Sequence, residues 1–149
     1  MAQLTDAISG KDLYVALSTD GAAWTDISGE SAKIAPGGGE RKHGEGYTFD
    51  GDKAVLTRGK REPGEVTVII FYREANGSAR KLVSDAYLNN TPLYVRYAPG
   101  GNTTGKKMNT SDAGIVKTPP YPEAESESAD PLMLDFDFVT PGWTESTIP

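Results

Sequence analysis

The chain has 149 residues, and its formal net charge of −6 argues against a protein that grips nucleic-acid phosphates. It contains no cysteine, which excludes disulfides, cysteine nucleophiles and cysteine-based metal sites. Seventeen glycines and ten prolines predict many turns between short strands, and therefore a single, mainly β domain.

The first predicted element is a flexible N-terminal arm over residues 1–10, which lacks the basic start and the apolar segment of a secretion signal. No stretch of the chain reaches the ~20 apolar residues of a membrane span, so we expect synthesis and folding in the cytosol. Residues 13–17 form the first predicted strand. Turn residues at 19–21 precede Trp24, which we interpret as a core residue.

The next segment, residues 36–72, is predicted to be a long hairpin made for contact. Its first part, 36–46, is a long loop, because a stretch of glycines and charges with almost no apolar side chains cannot be buried and would order on a partner. A strand over 47–57, a basic turn over 57–64 and a strongly apolar strand over 65–73 follow.

A helix over about residues 78–90 comes after the hairpin. Ser78 can cap its N-terminus, an i, i+3, i+4 apolar stripe would pack on the sheet, and Pro92 follows its end. Further predicted segments are strands at 93–98, 115–118 and 131–140, an exposed proline-rich connection at 119–130, and a flexible C-terminal arm at 141–149.

The strand over 131–140 alternates between two kinds of side chain. One face carries Leu132, Leu134, Phe136 and Phe138, and the other carries Met133, Asp135, Asp137 and Val139. The first face is predicted to be core. The second is either an ordinary solvated surface or a functional wall.

Two features of the sequence resemble sites of chemistry. Residues 100–107 match a phosphate-binding loop at its glycines and lysine, but Lys107 stands where a Ser or Thr hydroxyl is needed and no helical pattern follows. His43 is the only histidine, and neither a triad partner for it nor a pair of carboxylates can be singled out. We therefore predict no enzymatic activity, no cofactor and no metal site.

Five motifs follow one another along most of the chain: 21–27 (GAAWTDI), 44–52 (GEGYTFDGD), 59–63 (GKREP), 93–97 (LYVRY) and the closing strand from Asp130-Pro131. Their order and spacing resemble the major tail protein, or tail tube protein, of long-tailed non-contractile bacteriophages. The resemblance implies a β-sandwich or half-barrel with one flanking helix, as a structural protein of the virion tail.

The resemblance also implies an assembly and its partners. Six copies would form a ring by pairing strand edges, and rings would stack into a tube whose lumen conducts genomic DNA into the host without binding it specifically. The other implied partners are a tape-measure protein, a tail terminator and a tail-tip initiator, with assembly in the host cytoplasm and no membrane.

Charged residues are the predicted functional positions, because an acidic lumen would repel DNA phosphates and basic loops suit the carboxylates of another copy. Candidates for the lumen are Asp135, Asp137, Asp50, Asp52 and Glu65. Candidates for contacts between subunits or rings are Arg41, Lys42, Arg58, Lys60, Arg61, Glu62, Arg80 and Lys81. Arg80 and Lys81 open the helix, where its dipole disfavours cations, so Glu74 or an acidic patch of a neighbour is their expected partner.

Two alternatives remain at this point. A carbohydrate- or receptor-binding β-sandwich on a virion or cell surface would present clustered exposed aromatics, for which Tyr121 and Trp143 are the candidates. A tube protein of a contractile tail or secretion machine would share the fold and the ring.

Overall fold

Apolar residues at every second position form the centre of this fold. In the computed structural model, which describes residues 2–149, they build a β-sandwich with one α-helix in that range, α1 (Ala79–Leu88). The strands in chain order are β1 (Tyr14–Ser18), β2 (Thr25–Asp26), β3 (Ser31–Gly38), β4 (Arg41–Gly46), β5 (Val55–Arg61), β6 (Gly64–Phe71), β7 (Tyr94–Ala98), β8 (Lys107–Ser111), β9 (Ile115–Val116), β10 (Met133–Thr140) and β11 (Trp143–Thr147).

A four-stranded antiparallel sheet has the strand order β3-β6-β10-β9. Its two central strands pair over their full length, from Met133 opposite Phe71 to Thr140 opposite Gly64. Buried residues alternate with half-buried or exposed ones along both strands. The alternation predicted for residues 131–140 is therefore confirmed, and it defines an inner face toward the core and an outer face away from it.

A five-stranded sheet has the order β11-β8-β7-β1-β2. The prediction of a flexible C-terminal arm over 141–149 is wrong for Trp143–Thr147, because this segment pairs with β8 along its whole length. The prediction that Trp143 is an exposed aromatic is also wrong, since its ring packs edge-on against Tyr97 with centroids 5.5 Å apart. Local sequence could not indicate this pairing, because β8 is a short, largely polar strand about thirty residues away across the 119–130 connection.

The core lies between the two sheets, and α1 closes it. Its buried members are Val15, Leu17, Ile27, Val66, Val68, Ile70, Ala79, Val83, Ala86, Leu93, Val95, Val116, Leu134, Phe136 and Phe138. The helix begins as predicted, because Ser78 is an N-cap whose Oγ accepts a hydrogen bond from the Lys81 backbone N–H at 3.3 Å.

Strands β4 and β5 form a separate two-stranded ladder, which we call the arm; it continues β3 and β6 beyond the sandwich. The predicted loop at 36–46 and the predicted turn at 57–64 are therefore corrected: both lie in strands, and the chain reverses at 47–54, where a strand was expected. The glycines and the proline interrupt the strand pairing between the sandwich and the arm, and they do not form the turn of the hairpin. Gly38 and Gly39 have positive φ, and Pro63 cannot donate to the ladder.

Candidate functional site

Three carboxylates lie on the outer face of the four-stranded sheet. Asp135 and Asp137 are on β10, and Glu65 on β6 faces Val139 of that strand. The Thr67 hydroxyl donates to Asp137 Oδ1 at 2.6 Å, which holds this side chain against the sheet. These three predicted lumen residues are thus brought to one surface.

Two lysines from the edge strands reduce the charge of that surface. Lys33 on β3 pairs with Ile69, and the Lys117 backbone N–H donates to the Asp137 carbonyl beside β9. Lys117 Nζ lies 3.6 Å from Glu65 Oε1, with both side chains more than half exposed, so the pair adds little stability. The residues of the sheet itself thus have a small acidic excess of three carboxylates over two amines, and Glu123 of the 119–130 connection lies in the same pocket as Ile69 and Asp135.

The other two predicted lumen residues, Asp50 and Asp52, are not on this face. They lie in the exposed turn at 47–54, which we call the arm tip. The structure thus separates the five acidic candidates into a sheet set and an arm-tip set.

The arm exposes both apolar and charged side chains. Tyr47 and Phe49 of the arm tip have relative exposures of 70% and 113%, and Val55 and Leu56 beside it are also exposed. Predicted contact residues on the arm and at its base are Arg41, Lys42, Arg58, Lys60, Arg61 and Glu62, all of them exposed. Arg41 Nη1 donates to the Gly59 carbonyl at 3.2 Å within the arm.

The cations at the start of α1 have partners that the sequence analysis did not name. Lys81 Nζ lies 3.0 Å from Asp85 Oδ1, one turn along the helix. Arg80 Nε donates to the Arg73 carbonyl at 2.7 Å. The expectation that Glu74 pairs with either cation is wrong, because Glu74 Oε1 instead accepts a hydrogen bond from the Tyr72 hydroxyl at 2.9 Å.

That hydrogen bond to Glu74 raises the pKa of Tyr72 above its ordinary value. The Arg80 guanidinium lies over the Tyr72 ring, 5.5 Å from its centroid. Arg80 and Lys81 therefore each have a partner within the subunit.

A second apolar cluster lies on the outer face of the five-stranded sheet, and the sequence analysis missed it. Its buried members are Tyr14, Ala16, Ala98 and Met108, with Trp24 and Ile148 packed against them. Trp24, expected in the core, is thus a half-buried residue of this outer cluster. Such a cluster is not visible in sequence because it joins strands from both ends of the chain.

Arg96 of β7 lies in this cluster, directly opposite Ala16. Its guanidinium carbon lies 4.3 Å from the Trp24 ring centroid and 5.8 Å from that of Tyr14. Arg96 Nη2 donates a long hydrogen bond of 3.4 Å to the Tyr14 hydroxyl, while its Nε is buried and has no partner among the described residues. An unmatched buried donor costs about 1–3 kcal/mol. We call Arg96, Tyr14, Trp24, Met108 and Ile148 the Arg96 cluster.

The two features that suggested chemistry in the sequence lie in the loop before β8 and on the arm. Residues 100–107 lead into β8 and not into a helix, as the interpretation of a plain loop requires. His43 Nε2 lies 3.0 Å from Glu45 Oε1 on the exposed arm. Among residues 2–149 there is no group of three His, Asp or Glu side chains that could hold a metal ion. No helix in the same range is long and apolar enough to cross a membrane.

No protein-family model matches this sequence, and neither does any curated protein. Solved structures do match its fold. The tail of an empty gene transfer agent particle, refined with C6 symmetry, has a TM-score of 0.69 at 10% identity, covering 96% of this chain and 100% of that one. The SPP1 tail tube has a TM-score of 0.67 at 13% identity, covering 95% of this chain and 80% of that one.

A third similar structure comes from the sheath–tube complex of an extracellular contractile injection system. It has a TM-score of 0.66 at 10% identity and covers 96% of this chain and 93% of that one. The expected fold class, a mainly β sandwich with one flanking helix, is confirmed. This chain shares its fold with chains of a gene transfer agent tail, of the SPP1 tail tube and of the sheath–tube complex of a contractile injection system.

Proposed function

We propose that this chain is a structural, non-enzymatic subunit of a bacteriophage tail tube, located in the virion tail. The observation that carries the proposal is the match to tail tube structures over 95–96% of the chain. Six copies form each ring, an assembly favoured by the C6 symmetry of the similar gene transfer agent tail. We assign the chain to a non-contractile tail because the order of its sequence motifs resembles that of the major tail proteins of such tails.

Ring closure follows from the edges of the four-stranded sheet. Strands β3 and β9 lie at its two edges, and unpaired edges invite pairing with another chain. Pairing β3 of one copy with the β9 edge of the next would join the sheets into a continuous barrel, which removes the exposed edges.

The lumen of this barrel is proposed to be the outer face of the four-stranded sheet. Asp135, Asp137 and Glu65 would then face the DNA, and their excess over the two lysines would keep phosphates from binding. Genomic DNA would pass through without specific contacts.

Stacking between rings is proposed to use the arm and residues 2–9, which have no regular structure and are exposed. The exposed cations Arg41, Lys42, Arg58, Lys60 and Arg61, with Glu62, are the contact residues proposed on the arm and its base. Arg80 and Lys81 remain candidates for the same role. The tape-measure protein, tail terminator and tail-tip initiator are the further partners, with assembly in the host cytoplasm.

The first test is negative-stain electron microscopy of the purified chain at high concentration, with and without a tail-tip extract. We expect hollow tubes of stacked six-fold rings. Monomers under both conditions would contradict the proposal, and a glycan-binding screen would then test the carbohydrate-binding alternative.

The second test concerns the lumen. Tubes of Asp135→Lys/Asp137→Lys are expected to retain short duplex DNA at low salt and release it as salt rises, because each neutralised phosphate adds affinity. A matched control, Asp26→Lys/Glu145→Lys, makes the same charge change at exposed positions of the five-stranded sheet. Equal retention by the control and the lumen variant would refute the placement of the lumen.

A further inference from the structure

We propose that the arm tip of one copy docks on the Arg96 cluster of a neighbouring copy, with an arm-tip carboxylate bound to the Arg96 guanidinium. The inference rests on the proposed function, because it identifies the surface that receives the arm when copies assemble.

The Arg96 cluster has the chemistry of a receptor for a carboxylate beside an apolar group. Trp24 lies against the half-buried guanidinium with Tyr14 beside it, so a ligand would approach the terminal Nη groups and not the buried Nε. The buried Nε lacks a partner, and none of the ion pairs among the described residues involves Arg96. A cation held in place without a counter-charge is completed by an anion from outside the subunit.

The arm tip has the matching chemistry. Phe49 is fully exposed and is followed directly by Asp50, with Asp52 two residues later and Tyr47 two residues before. The two strands that present the tip form their ladder only with each other. Exposed aromatic side chains on such an extension are unfavourable in water, so their burial against a second protein surface is favoured.

The other acidic segment fits less well. The 119–130 connection has Glu123, Glu125, Glu127 and Asp130, but its exposed aromatic, Tyr121, is separated from the nearest of these carboxylates by Pro122. Of the two acidic segments compared, only the arm tip places a fully exposed ring and a carboxylate on consecutive residues. We therefore assign the arm tip of a second copy as the occupant.

Cross-linking tests the contact directly, because the chain has no cysteine of its own. Phe49→Cys on the arm tip is mixed with Asp26→Cys, an exposed β2 position opposite Ala16 on the outer face. A short bismaleimide is expected to give the mixed dimer in assembled protein. Matched mixtures of Asp26→Cys with Leu88→Cys or with Tyr121→Cys should give no mixed dimer. If Tyr121→Cys forms the dimer with Asp26→Cys and Phe49→Cys does not, the choice of the arm tip as occupant is wrong.

Charge reversal tests the ion pair. Asp50→Lys/Asp52→Lys should raise the critical concentration for assembly about tenfold to a hundredfold, the effect of losing a charged hydrogen bond. The control Glu123→Lys/Glu125→Lys should not. Adding Arg96→Glu to the arm-tip variant should restore assembly; if Arg96→Glu unfolds the chain, the arm-tip variant against its control still decides, because both change exposed residues only.

The outcomes separate this inference from the proposed function. If tubes form without the Phe49–Asp26 cross-link, the docking of the arm tip is wrong and the tube function stands. If the cross-link forms without tubes, the docking is supported and the tube function is contradicted. If neither tubes nor the cross-link form, both proposals are contradicted.

Discussion

Gly38 lies at the junction between the sandwich and the arm, and replacing it with alanine should be unusually costly. Its φ is +66°, and a Cβ there would lie 2.7 Å from the Pro63 carbonyl oxygen and 3.1 Å from the Glu65 nitrogen. Both are backbone atoms of the paired strand, so no side-chain rotation can relieve the contact. Two neighbours serve as matched controls. Gly39 has φ +72° with open space around its Cβ position, and Gly37 has open space without a positive φ.

The three substitutions separate two physical costs. Gly37→Ala should stabilise the protein by about 0.5 kcal/mol, because alanine loses less backbone entropy in a strand. Gly39→Ala should lose about 1–2 kcal/mol for the left-handed conformation. Gly38→Ala should lower the free energy of unfolding by about 2–4 kcal/mol. It carries the same conformational cost as Gly39→Ala, and the new Cβ also pushes the paired strands apart, which weakens about one ladder hydrogen bond.

Urea unfolding followed by tryptophan fluorescence measures these differences, and Trp143 next to Gly64 reports on this junction. Because the same junction orients the arm, Gly38→Ala should also raise the concentration needed for tube assembly, whereas Gly37→Ala should not. If Gly38→Ala and Gly37→Ala unfold at the same urea concentration, Gly38 does not have the left-handed conformation and close backbone contacts of this junction.

Two further predictions concern stability. Ser78→Ala removes the N-cap of α1 and should lower the free energy of unfolding by about 1 kcal/mol, whereas Ser84→Ala within the helix should leave it unchanged or slightly higher; equal effects in urea unfolding would argue against the cap. Burial raises the pKa of Tyr97 above its ordinary value of 10.0, against a smaller lowering by a hydrogen bond with Asn109. The neutral phenol therefore stabilises the fold below pH ~10, and this contribution is lost as the pH rises further; Tyr97→Phe should decline less steeply there, and identical pH profiles would contradict the assignment.

Several elements were predictable because their signals are local. The alternation of Leu134, Phe136 and Phe138 against Asp135 and Asp137 indicated a half-buried strand, since side chains in a strand alternate between faces. Ser78 before an apolar stripe indicated where the helix begins. The acidic outer face of the four-stranded sheet was predicted for the same local reason.

Tertiary structure decided what depends on distant pairing. Which residues reverse the hairpin depended on the register between β3–β4 and β5–β6, so glycines and a proline that predicted turns proved to be an interruption within paired strands. The C-terminal strand exists because β8 supplies its hydrogen bonds.

The Arg96 cluster shows the same division. Sequence established that the chain is an acidic, cysteine-free, mainly β protein with one alternating acidic strand, because composition and period are properties of neighbouring residues. Only the sheet brings Tyr14, Trp24, Met108 and Ile148 around Arg96, because strands distant in sequence become neighbours through backbone hydrogen bonds. The physical reason is that strand pairing is non-local, whereas the patterns that predict strands are local.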